Sequence, residues 1–273
     1  MKKIIKLVTL LFGVMSMLAV STNTSIQAEE PQVIKIGVTS VSNITYEAIK
    51  EHYEKMGYKT EAIMFDTNPV LLEALASGEI DMSLGQHKFF VANFSKSKGT
   101  EIKVVKPYAY FTGIGLYSDK YKTLEEIPEG ATIAIMNDSM NMNVGLQLLQ
   151  DAGFITLNDV ESATIADIKE NKKNIKIIDM EQQQTVSALK DVDAATIFFT
   201  HMSNAGLDPS SYLTRDNVMI NYPMGPIVKA ENAEADWAVD YAKCFKLEEV
   251  QKTIEEKLPG VFEFYEEDSQ VEE

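Results

Sequence analysis

The chain has 273 residues, 45% hydrophobic and 24% charged, a globular composition with enough apolar content for a buried core. Its 41 acidic residues against 25 basic ones give a formal net charge of −16, which repels nucleic acid and anionic lipid, so neither is an expected partner. One cysteine excludes a disulfide framework, and with three histidines it leaves little for a zinc site.

Lys2, Lys3 and Lys6 precede an uncharged, mostly apolar run from Leu7 to Val20, and small polar residues lead to Ala28. That pattern predicts a secretory signal peptide over residues 1–28, and export to the periplasm or the outer face of the cytoplasmic membrane. The apolar run is short for a spanning helix, although an uncleaved signal would serve as an anchor. Cleavage after Ala28 removes three lysines and no acid, so −16 becomes −19. A lipid-anchored chain carries a cysteine just after the apolar run. Here the cysteine is Cys244, so an N-terminal lipid is not expected.

Strand and helix signals alternate from there. Val33 to Val38 reads as a strand, and Asn43 as the cap of a helix carrying Tyr46, Ile49, Tyr53 and Met56. Lys59 to Phe65 is a second strand; Asn68-Pro69 opens a helix that Gly78 closes. Ile80 to Leu84 is a short strand before a helical stretch, Gln86 to Ser97, and two β-rich runs follow, Ile102 to Tyr110 and Ile114 to Tyr117.

The pattern then restarts. Thr123 to Glu126 has capping-box spacing, Ala131 to Met136 reads as a strand, and Asn137-Asp138-Ser139 leads into a helix from Met140 to Ala152. Thr164 to Glu170 reads as a short helix, Ile175 to Met180 as a strand, Gln183 to Lys190 as a helix and Ala194 to Phe199 as a strand. Val218 to Asn221 and Pro226 to Lys229 read as extended, and helices over Glu234 to Cys244 and Leu247 to Leu258 finish the pattern. Alternating βα units predict an α/β protein with parallel strands in two lobes. The expected division is 33–112 plus 226–262 for the first lobe, 113–225 for the second, and an acidic tail over 263–273. Such sheets bind ligands beyond the carboxyl ends of their strands.

Catalytic motifs are scarce. The chain has no G-x-S-x-G, P-loop, H-E-x-x-H or C-x-x-C. Ser95 to Lys98 and Ser187 to Lys190 match S-x-x-K without its companion elements, and read as solvated helix faces. Asn137-Asp138-Ser139 reads first as a capped turn and second as an anion site. Met136, Met140, Met142, Met202, Met219 and Met224 cluster near element ends, as core packing, as an adaptable pocket lining, or as soft copper ligands. His87 and His201 occupy matching places near strand ends in the two halves, where a binding crevice is expected.

Several segments, in order, resemble the methionine-binding lipoproteins of the MetQ/NlpA family. They include Phe65-Asp66, Leu72 to Leu75, Gly78-Glu79-Ile80-Asp81, Gln86-His87-Lys88 and Leu116-Tyr117-Ser118. The likeness continues through Ala134 to Asp138, Asn141 to Ile155, Asn174 to Ile177, Ala194 to Ile197 and Ile227-Val228, and covers roughly 33 to 258. The resemblance implies a two-lobed periplasmic-binding-protein (type II-like) fold with a ligand cleft between the lobes. It also implies a monomer that delivers a small-molecule ligand to an ABC permease and its ATPase, with no cofactor, no metal and no catalysis.

The departures from the family pattern bear on the ligand. Carried over by position, the ligand-binding places are Gly85, His87, Phe90, Asn141, Val144, Phe198 and Gly225, and His201 joins them from its own place at a strand end. Gly85 stands where the family has an aromatic, Phe90 where it has a tyrosine, and Phe198 and Gly225 where it has asparagines. Val144 stands where the family's arginine grips the ligand carboxylate. An unpaired buried carboxylate costs roughly 3–5 kcal/mol, so a free amino acid is not the expected ligand. Lys88 or Lys229 would have to compensate. A neutral, cationic or more apolar small molecule fits better. Two other classes remain open: a secreted α/β enzyme with His87 or His201 as acid/base, and a Met/His copper-binding protein.

Overall fold

A computed structural model describes residues 33–272, so the expected signal peptide lies outside the described residues. The first βα series contains β1 (Ile34–Val38), α1 (Ser40–Lys55), β2 (Thr60–Met64) and α2 (Asn68–Ser77), then β3 (Met82–Ser83), α3 (Lys88–Lys98) and β4 (Ile102–Val104). The chain then crosses through β5 (Tyr110–Thr112) into β6 (Ile114–Tyr117) and β7 (Thr132–Met136). There follow α4 (Ser139–Asp151), β8 (Ile155–Leu157), β9 (Ile168–Asn171), β10 (Lys176–Met180), α5 (Thr185–Ala188), β11 (Ala194–Phe198), α6 (Phe199–Asn204) and β12 (Thr214–Arg215). The chain returns as β13 (Ile227–Lys229) and ends with α7 (Asp236–Cys244), α8 (Glu248–Lys257) and β14 (Phe262–Phe264).

Two five-stranded sheets result, ordered β2-β1-β3-β13-β4 and β10-β7-β11-β6-β12. β1, β2 and β3 are parallel, as are β10, β7 and β11. β13 runs antiparallel to β3 and β4, and β6 to β11 and β12, so neither sheet is all parallel. Each of these strands enters its sheet from the other one, without the βα crossover that would set its sense. A third strand pair, β14 with β5, lies beside the crossing.

Local signals explain most elements, and their ends shift where a better partner exists. α1 begins earlier than Asn43 suggests, because Thr39 takes the cap and its N–H donates to Ser42 Oγ at 2.8 Å. Gly78 closes α2 in the left-handed region, φ 85°, as expected. Thr123 to Glu126 forms a turn rather than a helix. The capping box at Thr164 and Asp167 is present, but it opens only a 3-10 turn before β9. Met219–Asn221 is likewise a 3-10 turn, not extended chain.

The first sheet buries Ile34, Ile36 and Val38 against α1, α7 and α8, where Tyr53 stacks on Tyr58 and meets Tyr241 edge-on at 4.9 Å. Cys244 is wholly buried in this core, and burial pushes its thiol up to about 11. The second core gathers Ile133, Ile135, Leu146 and Leu149 around β7 and α4. Residues expected as an acidic tail are packed: Tyr265 and Val271 are buried in the second core, and Asp268 accepts the Tyr108 N–H at 2.7 Å. Aromatic and aliphatic side chains within that acidic stretch supply the burial. Among the described residues, no helix is long and apolar enough to cross a membrane.

Candidate functional site

A cavity of about 360 Å³ opens between the two sheets. The loops and caps that follow β3, β7, β10 and β11 all contribute to it, so it lies at the carboxyl ends of strands from both sheets.

The first wall is built on the turn after β3. Gln86, 2% exposed, pins that turn: its Oε1 accepts from Ser83 Oγ at 2.7 Å and its Nε2 donates to Asn68 Oδ1 at 2.9 Å. His87 caps α3, with Nδ1 accepting the Phe90 N–H at 3.1 Å. That bond places the proton of the neutral ring on Nε2. Burial holds His87 down to about 4, so it presents a neutral N–H donor rather than a cation. The ring meets Phe90 and Tyr222 edge-on at 6.2 and 5.6 Å.

Gly85 sits at φ 106°, a conformation that disfavours any side chain, and a Cβ there would lie 3.1 Å from Ser42 Cβ. Beside Gly85 a smaller chamber of about 120 Å³ shares Asn68, Thr200, His201 and Met224 with the main cavity and adds Thr39, Ser42 and Asn204.

The second wall begins at Asp138, the N-cap of α4. Its Oδ1 accepts the Asn141 N–H at 3.1 Å and its Oδ2 accepts Asn141 Nδ2 at 2.9 Å. A carboxylate accepts only, so the Asn141 amide must turn its NH₂ toward Asp138. Its Oδ1 is then left buried with no partner. Asn137 donates to Glu181 Oε1 at 3.2 Å, joining the ends of β7 and β10. Phe198, last in β11, meets His201 edge-on at 5.6 Å, and burial lowers the His201 pKa.

Six of the eight sequence-derived positions line the cavity together: Gly85, His87, Phe90, Asn141, Phe198 and His201. Val144 and Gly225 do not. Val144 is wholly buried in the second core, one turn beyond Asn141 on α4, where a valine is too short to reach the cleft. A Cβ at Gly225 would touch Val104 and the backbone of Val105 and Ala109 at the crossing. Neither candidate lysine compensates. Lys88 carries its ammonium over the Tyr108 ring at 5.5 Å, and the Lys229 ammonium lies by Gly78. The lining includes two carboxylates, Asp138 and Glu181, and no lysine or arginine.

Sequence reasoning left Asn68, Asp138, Met140, Glu181, Thr200 and Met224 off the candidate site, though they line it. For Asn68, Asp138, Met140, Glu181 and Thr200 placement just after a strand was the available signal, and Met224 lies on the segment leading into β13. Of the methionines, Met140 and Met224 reach the cavity, while Met136, Met202 and Met219 are buried in cores. No cluster of three or more His, Cys, Asp or Glu side chains suited to a metal exists among the described residues.

Two mixed sheets, joined by crossing strands and facing each other across a polar-apolar cavity, define a two-lobed α/β binding protein. The NlpA lipoprotein family profile matches residues 34–263, and the chain belongs to that family. It is 31% identical over 244 residues to the D-methionine-binding lipoprotein MetQ of Salmonella typhi, covering 85% of this chain and 88% of that one. A nutrient-binding protein from Burkholderia cenocepacia, solved bound to methionine, superposes with a TM-score of 0.75 at 30% identity, over 85% of this chain and 99% of that one. A Staphylococcus aureus protein superposes at 0.77 with 29% identity, over 85% and 94%.

Proposed function

We propose that this chain is the extracytoplasmic receptor of an ABC-type importer, passing a small solute to a permease driven by an ATPase. We further propose that the solute is not a free α-amino acid. Family membership supports the first statement. The second rests on the charge of the cleft, which has two carboxylates and no cation in its lining. A bound α-carboxylate would lack the bidentate partner that makes such contacts strong. The eight candidate positions, seven carried over from the family and His201 from its place at a strand end, remain the candidate ligand positions, with Val144 and Gly225 acting through the groups they lack.

The site serves binding better than catalysis. His87 commits Nδ1 to its helix cap and keeps its proton on Nε2, which suits a donor to a ligand and not a general base. The expected motion is closure of the two lobes over the solute.

Thermal unfolding of the mature protein tests the ligand. A solute at a hundredfold excess over its Kd stabilises by about 2.7 kcal/mol, which is about 5–10 °C in Tm for a chain of this size. L-methionine at 1 mM is expected to shift Tm by less than about 1 °C, an order-of-magnitude bound set by weak occupancy. A shift of several degrees from L-methionine would overturn the altered-ligand reading and leave the transport reading standing.

A further inference from the structure

The unmet hydrogen-bonding capacity of the cleft narrows the solute class. Asn141 is 7% exposed, lines the cavity, and keeps Oδ1 without a partner. The orientation of its amide is forced by Asp138, so the vacant group is an acceptor and calls for a donor. The groups around it have the same character. Asp138, Asn137 and Glu181 run from Asn141 across the ends of β7 and β10, and both acids are among the lining residues. His201 Nδ1, on the same lobe, is also buried without a partner. No side chain in the lining supplies positive charge, since His87 is neutral and no lysine or arginine is among the lining residues.

The remaining lining is aromatic and thioether: Phe90 and Phe198 from opposite walls, with Met140 and Met224. Aromatic faces attract cations, and methionines adapt to the carbon skeleton. The field of the whole chain, at −16, draws the same sign of ligand toward the protein.

We infer that the cleft takes a small organic cation whose charged nitrogen bears N–H groups, donated to Asn141 Oδ1 and the Glu181 carboxylate, with its carbon skeleton against Phe90 and Phe198. The inference rests on the receptor reading above and gives it a substrate class.

Two matched sets of probes test it on the mature protein by thermal shift and calorimetry. L-methioninamide, L-methionine and N-acetyl-L-methionine hold the side chain constant while net charge goes from positive through zwitterionic to negative. Agmatine, phenethylamine, benzamidine and spermidine are N–H cations; choline has the charge without the N–H; uridine and glucose are neutral. The expected result is binding by at least one N–H cation, with L-methioninamide ahead of L-methionine, and N-acetyl-L-methionine and choline weaker still.

Glu181→Gln should weaken the bound cation roughly tenfold, the loss expected for a hydrogen bond to a charged group, while the Tm without ligand stays unchanged. Glu181 is an exposed side chain, so folding is not at stake. Binding of uridine or glucose with no response to any N–H cation would overturn the inference and leave the altered-ligand reading intact. Tight L-methionine binding would overturn both. An N-acetyl-L-methionine response above that of L-methioninamide, no response to any of the cations, or equal affinity for the cation in Glu181→Gln would each overturn the inference alone.

Discussion

Asp216→Ala is expected to destabilise the protein by about 3 kcal/mol, lowering Tm by roughly 6–12 °C. Asp216 is 5% exposed and accepts three backbone N–H groups, from Ile114 at 2.7 Å, Met219 at 2.7 Å and Val218 at 3.0 Å. Ile114 opens β6 at the point where the chain first enters the second sheet. Val218 and Met219 lie on the segment that leads back to the first. One carboxylate therefore ties both passages between lobes. Alanine would strand three N–H groups, each worth about 1–3 kcal/mol when buried and unmet, with part of that cost offset by relief of the carboxylate's own desolvation. Burial raises the Asp216 pKa despite its three donors.

Asp216→Asn keeps the volume but turns an NH₂ toward at least one backbone donor, so it should fall between wild type and alanine. Urea midpoints for the three proteins check the order. A loss below about 0.5 kcal/mol in the alanine variant, the range of ordinary surface changes, would mean that the crossing is held elsewhere. Gly113 marks the same crossing: a Cβ there would lie 2.5 Å from the Phe199 ring, so the passage admits no side chain without displacement.

Acidification from pH 7 to pH 5 is expected to cost about 2 kcal/mol of stability through His87, one of the larger single effects open to this chain. Its folded pKa is held near 4 by burial, against about 6.5 in the unfolded chain. Between those values the unfolded chain binds the proton and the folded one does not. Stability is therefore full above about pH 6.5 and falls as pH drops toward 4. His201, also lowered by burial, adds in the same direction. Asp216 has the opposite sign, because its raised pKa lets the folded state take up a proton first.

His87→Asn separates the contribution. Asparagine is a favoured N-cap and keeps an acceptor for the Phe90 N–H without titrating. Urea unfolding at pH 7 and pH 5 should show the wild-type loss and a much flatter response in the variant. Equal losses in the two proteins would assign the pH dependence to other groups.

Much of the architecture is written in short-range signals. Gly78 and Gly99 stop α2 and α3 because only a residue tolerant of positive φ ends a helix that way, and the alternation of β-branched runs with helical periodicity announces two βα series. The regions of family likeness that contain Gln86-His87 and Asn137 to Asn141 both line the cavity. His87 and Asn141, from different sheets, both border the cavity, as residues at strand ends should. Where the local code is ambiguous, partners decide. Asn43 lost the α1 cap to Thr39, four residues earlier, because Ser42 was there to reciprocate.

What the sequence by itself determined is the class of element at each place, the family, the acidity, and the absence of the arginine at Val144. Those properties depend on neighbours along the chain and on residue identity, both of which are present in one dimension. The tertiary structure alone decided that β6 and β13 run against their sheets, that Tyr265 and Val271 belong to a core, and that Val144 and Gly225 stand back from the cavity. It also decided that Glu181 looks into the cleft while Lys88 looks away. These outcomes depend on how far a side chain reaches and which way an element is rotated when two sheets, joined by short crossing segments, pack against each other.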